Sequence, residues 1–238
     1  MSNFEYSGTE LSLFECANNW KTYWSRQIFP HIGNSILEVG AGIGATAKTL
    51  NANQYAKWVC LEPDVKLCEE IRKKINAGTL PRSLDIRTIT TEQLDSQERF
   101  DTILYIDVLE HIKNDKAELE KVTENLADGG VIIIVSPSHN FLYSRFDANI
   151  GHHRRYNKKM LYSIIPSGMK VRKMRYLDSI GLFASLANKL VLKSANPTHK
   201  QIQVWDRFMV TASRFLDPLL GYQFGKSIIC VIEKSGNI

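Results

Sequence analysis

The chain has 238 residues and carries 30 lysines and arginines against 25 acids, a net charge of +5. That length can bury a sizeable core in one domain, and no apolar run approaches the roughly 18 residues of a membrane span. The basic excess is local, in His152-His-Arg-Arg-Tyr-Asn-Lys-Lys159 and Lys170-Val-Arg-Lys-Met-Arg175. It lacks the interleaved aromatics of a nucleic-acid groove, so no nucleic acid is expected and an anionic small molecule suits the charge better.

In chain order, Met1-Ser-Asn-Phe-Glu-Tyr6 is polar and acidic, without the cationic and apolar regions of a leader, so none is expected. Leu11, Phe14, Ala17, Trp20, Trp24 and Ile28 recur at helical spacing over 10–29, and Pro30 and Gly33 end the helix. Strands follow at 35–39, 57–61, 84–88, 100–106 and 130–135, separated by helical patterns at 43–51, 64–76 and 115–126, with Asp64 as the cap of the second. Beyond residue 157 come a helix to Ile165, stopped by Pro166 and Gly168, and a strand at 170–177. Two helical stripes follow, Leu182, Phe183, Leu186, Ala187, Leu190 and Val191, then Val204, Trp205, Phe208, Met209, Ala212, Phe215 and Leu216. A last strand covers 226–234. Alternating strands and helices of these lengths imply a doubly wound α/β sheet, largely parallel, with right-handed crossovers. One domain over 1–238 is expected, with an N-terminal helical cap to about residue 33 and a helical insert at about 182–222. The insert reads as core, as a lid or acceptor-pocket wall, or, third, as the face of a homodimer.

The densest chemical signal is Ser35-Ile-Leu-Glu-Val-Gly-Ala-Gly-Ile-Gly44, an apolar run passing into glycines and then a helix. Glycines at a strand-to-helix turn let backbone approach a ligand. The spacing Gly40-x-Gly42-x-Gly44, with Glu38 ahead of it, departs from the dinucleotide fingerprint. A carboxylate beside the loop repels phosphates and suits a cationic amine, which points to S-adenosylmethionine (SAM). Glu62 ends the second strand, where an acid about 20 residues past the glycines can bond ribose hydroxyls. Asp107 ends the fourth.

These motifs resemble those of the class I SAM-dependent methyltransferases, in the small-molecule branch related to the quinone-biosynthesis enzymes. Leu37-Glu-Val-Gly-Ala-Gly-Ile-Gly44 is similar to the family's first motif, Cys60-Leu-Glu-Pro-Asp64 to its ribose motif, Asp107-Val-Leu-Glu-His-Ile112 to its fourth-strand motif and Asp128-Gly-Gly-Val131 to the entry of strand five. The resemblance implies a seven-stranded Rossmann-like sheet with an antiparallel last strand. It places SAM against Glu38, Gly40, Ala41, Gly42, Gly44, Glu62, Pro63, Thr91, Asp107 and Val108. It also implies methylation of a small-molecule acceptor, with oxygen favoured and nitrogen or carbon open.

The acceptor is expected near residues 136–156, after strand five, because ligands of doubly wound sheets lie at the carboxyl ends of the strands. Tyr143, Arg154, Arg155 and Tyr156 are candidates to hold an anionic acceptor. The alternative is that an arginine pairs with Asp147 and braces the loop. His111, His152 and His153 are candidate general bases, although His111 also reads as a residue that orients the cofactor. Cys16, Cys60, Cys68 and Cys230 show no paired spacing. Neither a disulfide nor a metal site is expected, and a reducing cytoplasm is the default location.

Overall fold

The computed structural model describes Tyr6, Gly8, residues 10–187, Lys189 and residues 197–235. Among these, a seven-stranded sheet forms from β1 (Ser35–Val39), β2 (Lys57–Leu61), β3 (Leu84–Arg87), β4 (Phe100–Ile106), β5 (Leu126–Pro137), β6 (Met169–Leu177) and β7 (Ser227–Lys234), in the order β3-β2-β1-β4-β5-β7-β6. The β1–β2, β1–β4, β2–β3 and β4–β5 pairs are parallel, and β7 runs antiparallel to both β5 and β6. Parallel strands covered on both faces need apolar side chains in both directions, which is why the Ile36-Leu37 and Ile132-Ile133-Ile134 runs are continuous. Alternation then sends Ile36, Trp58, Cys60 and Ile133 into one core layer and Leu37, Val59, Ile103 and Ile134 into the other.

The helices are α1 (Glu10–Phe14), α2 (Asn18–Ile28), α3 (Ala45–Thr49), α4 (Val65–Asn76), α5 (Asp115–Val122), α6 (Arg145–Asn149), α7 (Lys158–Ile164), α8 (Ser179–Ala187), α9 (His199–Val204) and α10 (Thr211–Leu219). Asp64 caps α4 as expected, accepting the Lys66 and Leu67 amides. The single N-terminal helix expected over 10–29 is broken into α1 and α2. The carboxylate of Asp206, from the helical insert, accepts the Asn19 and Trp20 amides at 3.1 and 2.8 Å and so starts α2 afresh. That cap is invisible locally because it comes from the far end of the chain. The strand expected at 130–135 is longer and begins at Leu126, while α5 stops at Val122 and a 3-10 turn bridges the two.

The insert is held by buried acids. Asp217 accepts the Tyr23 hydroxyl at 2.8 Å and the Asp178 and Ser179 amides at 2.7 and 3.0 Å. Between α9 and α10 a π-helical turn, Trp205–Val210, turns Trp205 inward while Phe208 stays exposed. The second apolar stripe therefore splits: Trp205 is core, whereas Phe208 and Phe215 face outward. Leu190 and Val191 of the first stripe, and Met1 to Glu5 of the N-terminus, lie outside the described residues. No helix among the described residues is long and apolar enough to cross a membrane.

Candidate active site

A cavity of about 990 Å³ opens at the carboxyl ends of the parallel strands, where the first β-α loop, the end of β4, the β5–α7 segment and the insert meet. Its wall runs from Gly40, Ala41 and Gly42 past Asp107, Glu110 and His111 to His152, Arg155 and Lys226, and Trp20, Trp24 and Trp205 also line it.

The glycine loop is shaped by backbone conformation. Gly40 and Gly42 have φ of +68° and +56°, in the left-handed region that L side chains avoid. A Cβ on Gly40 would lie 2.7 Å from a Val108 methyl, whereas the nearest atoms to one on Gly42 belong to Leu11, at 3.6 Å. So Gly40 is required by packing, and Gly42 keeps its open face toward the cavity. Glu62 stands just behind that wall. Its carboxylate accepts the Gly42 amide at 2.8 Å and the Asp64 amide at 3.0 Å, and burial raises its proton affinity. Gly44 caps α3 and lies in the wall of a separate pocket beside Lys74 and Leu80. Val108 packs on Gly40, and Pro63 is half-buried between Glu62 and Asp64.

Glu38 is placed differently from the expectation. Strand alternation puts its side chain on the Ile36 face, in register with Cys60, where it accepts the Trp58 indole N–H at 2.8 Å. It does not belong to the cavity wall. Burial pushes its carboxyl up to about 7, opposed by the Trp58, Cys60 and Thr46 hydrogen bonds. Thr91 is likewise buried away from the cavity, its hydroxyl donating to Glu118 at 2.8 Å.

Asp107 has φ +54° at the strand tip, and burial raises its carboxyl to about 6. One turn on, burial and then the neighbouring His152 push the His111 imidazole down to about 4, so it is neutral and weakly basic. The His111 and His152 rings meet edge to face with centroids 4.6 Å apart. His152 is oriented by Asp147, whose Oδ1 lies 2.9 Å from its Nδ1, which leaves Nε2 facing Glu110. His153 is exposed and outside the wall. Its amide donates to the Glu110 carbonyl at 2.8 Å, and that backbone bond ties the loop to the end of β4.

The two arginines point in opposite directions, as neighbours in an extended segment must. Arg155 lines the cavity but is engaged, giving Nε to Asp147 Oδ1 at 2.8 Å and Nη2 to Oδ2 at 3.0 Å. Burial would raise the Asp147 carboxyl, yet the bonds from His152, Arg155 and Ser144 hold it below the usual carboxylate range. Arg154 turns away, pairing with Asp115 and donating to the Lys113 carbonyl at 2.7 Å. Tyr156 is fully buried, its hydroxyl donating to Asp115 at 2.7 Å, and Tyr143 donates to the His152 carbonyl at 2.6 Å. Arg154, Tyr143, Tyr156 and His153 therefore frame the loop from outside the cavity wall, a correction to their expected acceptor-facing placement.

Sequence reasoning missed Lys226 and Glu110. Lys226, just ahead of β7, enters the wall with its ammonium 4.4 Å from the centre of the Trp205 ring, and burial lowers its proton affinity. Its only local signal is a lysine ahead of an apolar strand, which normally reads as a solvated strand end. Glu110 sits in a motif already singled out for its neighbours Asp107 and His111.

A sheet of this order, with a left-handed glycine loop after β1, an acid at the tip of β2 and another at the tip of β4, defines the Rossmann-like class I methyltransferase fold. Residues 37–132 match the family model described as "Methyltransferase domain". It is 31% identical over 104 residues to the ubiquinone biosynthesis O-methyltransferase of Paramagnetospirillum magneticum, covering 44% of this chain and 41% of that protein. A solved coclaurine N-methyltransferase, bound to N-methylheliamine and SAH, superposes with a TM-score of 0.62 at 17% identity over 98% of this chain and 76% of that one. The [4+2]-cyclase SpnF superposes with a TM-score of 0.64 at 14% identity over 92% and 81%. The matches to curated relatives span only 33% to 42% of those proteins' length. The structural likenesses fix the fold, and a fold hosts more than one chemistry.

Proposed function

We propose that this chain is a SAM-dependent methyltransferase acting on a small-molecule acceptor, with an anionic, phenolic or carboxylic oxygen as the favoured target. The observation that carries this reading is the continuity of one cavity from the glycine loop, past Asp107, to Arg155 and Lys226. The residues suit SAM: an open glycine backbone at Gly42 and two buried strand-tip carboxylates, Glu62 and Asp107, whose proton affinity burial raises. When bound, SAM supplies a methyl on a sulfonium that an acceptor displaces in line, so the protein mainly positions the partners.

In this reading the backbone of Gly40 to Gly42 and Asp107 hold the amino-acid end, and Glu62 shares its carboxylate between the loop and the ribose. Glu38 supports the loop from the core side. At the other end, Lys226 attracts the acceptor's negative charge, and the tryptophans give its apolar part a surface. His152, aligned by Asp147, is the group placed to take a proton from an acceptor hydroxyl. Nitrogen or carbon acceptors are the alternative within the same chemistry, and a SAM- or SAH-binding protein without turnover is the alternative outside it. Titration calorimetry with SAM and SAH, followed by a panel of carboxylic, phenolic and amine acceptors with labelled SAM, separates these. Lys226→Met should raise the KM of an acidic acceptor about tenfold and leave the SAM Kd unchanged. Transfer only to amines would remove the oxygen assignment, and SAM binding without any transfer would favour the binding protein.

A further inference from the structure

The wall of the cavity holds a donor cluster that the fold assembles from two distant segments. Glu110 and His111 follow β4, and His152 lies in the loop before α7; one ligand atom from each falls within 4.8 Å of the others. We propose that Glu110, His111 and His152 bind a divalent transition-metal cation.

Three features of the cluster support a cation there. First, Glu110 Oε1 is buried and has no hydrogen-bond partner among the described residues, while Oε2 accepts the Ser136 hydroxyl at 2.9 Å. A buried carboxylate oxygen left without a partner is costly unless a donor or a cation meets it. Second, His152 is already held by a neighbour, with its Nδ1 bonded to Asp147 Oδ1 at 2.9 Å. An imidazole oriented by a carboxylate or carbonyl through one nitrogen, with the second turned to the ion, is the usual arrangement around a protein-bound metal. Third, the spacing of the Glu110–His152 pair is right. Metal bonds of about 2.0–2.2 Å put two ligands as much as ~4.2 Å apart across an ion, and His152 Nε2 lies 3.8 Å from Glu110 Oε1.

Two imidazoles and one carboxylate suit Zn²⁺, Mn²⁺, Fe²⁺ or Co²⁺ better than Ca²⁺, which prefers an all-oxygen cage. Asp107, on the same wall and close enough for its charge to interact with His152, is a further acid beside the cluster, where Lys226 and Arg155 are the facing cations. A cation there would leave coordination positions open on the cavity, and would lower the pKa of an acceptor hydroxyl by coordination in place of proton transfer to His152. The binding claim itself does not depend on methyl transfer, since it is read without turnover.

The test is metal binding by chelator-stripped protein. Titration with Co²⁺ should give one equivalent of visible d–d absorption, displaced by Zn²⁺, and Zn²⁺ should raise the melting temperature. His111→Ala and His152→Ala should each weaken Co²⁺ binding by at least about tenfold, and Glu110→Gln likewise. His153→Ala, outside the cluster, should not change it. SAM titration and circular dichroism on each variant report folding, and two separate histidine variants guard against the loss of one. No Co²⁺ spectrum with the stripped wild type, or binding that survives both histidine variants, would overturn the site while leaving the SAM reading intact. Metal uptake without SAM binding would do the reverse.

Discussion

Arg155 and Asp147 face each other through two parallel hydrogen bonds, of 2.8 and 3.0 Å, with Asp147 wholly enclosed. Asp147 also accepts the Ser144 amide at 2.8 Å, so one carboxylate gathers α6, the loop and His152. Bidentate geometry makes this a strong pair, and enclosure makes its loss severe. Arg155→Ala should cost about 3–5 kcal/mol of stability, because it leaves a buried carboxylate uncompensated. Chemical denaturation of the two single variants and the Asp147→Ala, Arg155→Ala double variant should show a coupling above about 1 kcal/mol. Additive losses would mean that the pair does not brace the loop.

Arg154 should behave otherwise. It pairs with Asp115 on the side of the loop away from the cavity, so Arg154→Ala should cost about 1–3 kcal/mol of stability. SAM affinity and acceptor KM should stay within about twofold. A selective rise in acceptor KM would return Arg154 to the acceptor site.

The glycine loop and Glu62 can be separated by calorimetry. Glu62→Ala should weaken SAM binding by about 1–3 kcal/mol, since it strands the Gly42 amide along with any ribose hydroxyl. Gly40→Ala should destabilise the fold, as its Cβ would meet Val108 at 2.7 Å, whereas Gly42→Val should mainly abolish SAM binding. Unaltered SAM affinity in a folded Gly42→Val protein would refute the cradle.

Glu38 supplies a pH dependence whose sign can be worked out. Its carboxyl titrates near 7 in the folded protein against 4.5 when exposed. Between those values the folded state keeps a proton that the unfolded chain has released, so the group's contribution to stability falls as pH rises through this window. The loss amounts to roughly 3 kcal/mol. Glu62 is the neighbouring charge that raises it further. Glu38→Gln should flatten the decline in melting temperature between about pH 5 and pH 7, and an unchanged slope would show that Glu38 ionises freely.

Much of the fold was legible because its signals are local. Each of β1, β2 and β4 is an apolar run ending near an acid, and Asp64 caps α4 with its own side chain. The glycine spacing, Glu62 and Asp107 could be read together because they all belong to strand tips. What the local pattern could not supply was direction. Glu38 is polar and adjacent to the loop, yet strand alternation turns it into the Trp58 layer.

The sequence by itself determined the order of strands and helices, the class of the domain and the glycine loop, because propensity, periodicity and turn chemistry act over a few residues. Only the tertiary structure decided that Arg155 braces while Arg154 turns outward, that Lys226 enters the cavity, and that Glu110, His111 and His152 meet. These depend on contacts between segments far apart in the chain, where burial and partner geometry, not neighbouring residues, set each side chain's role.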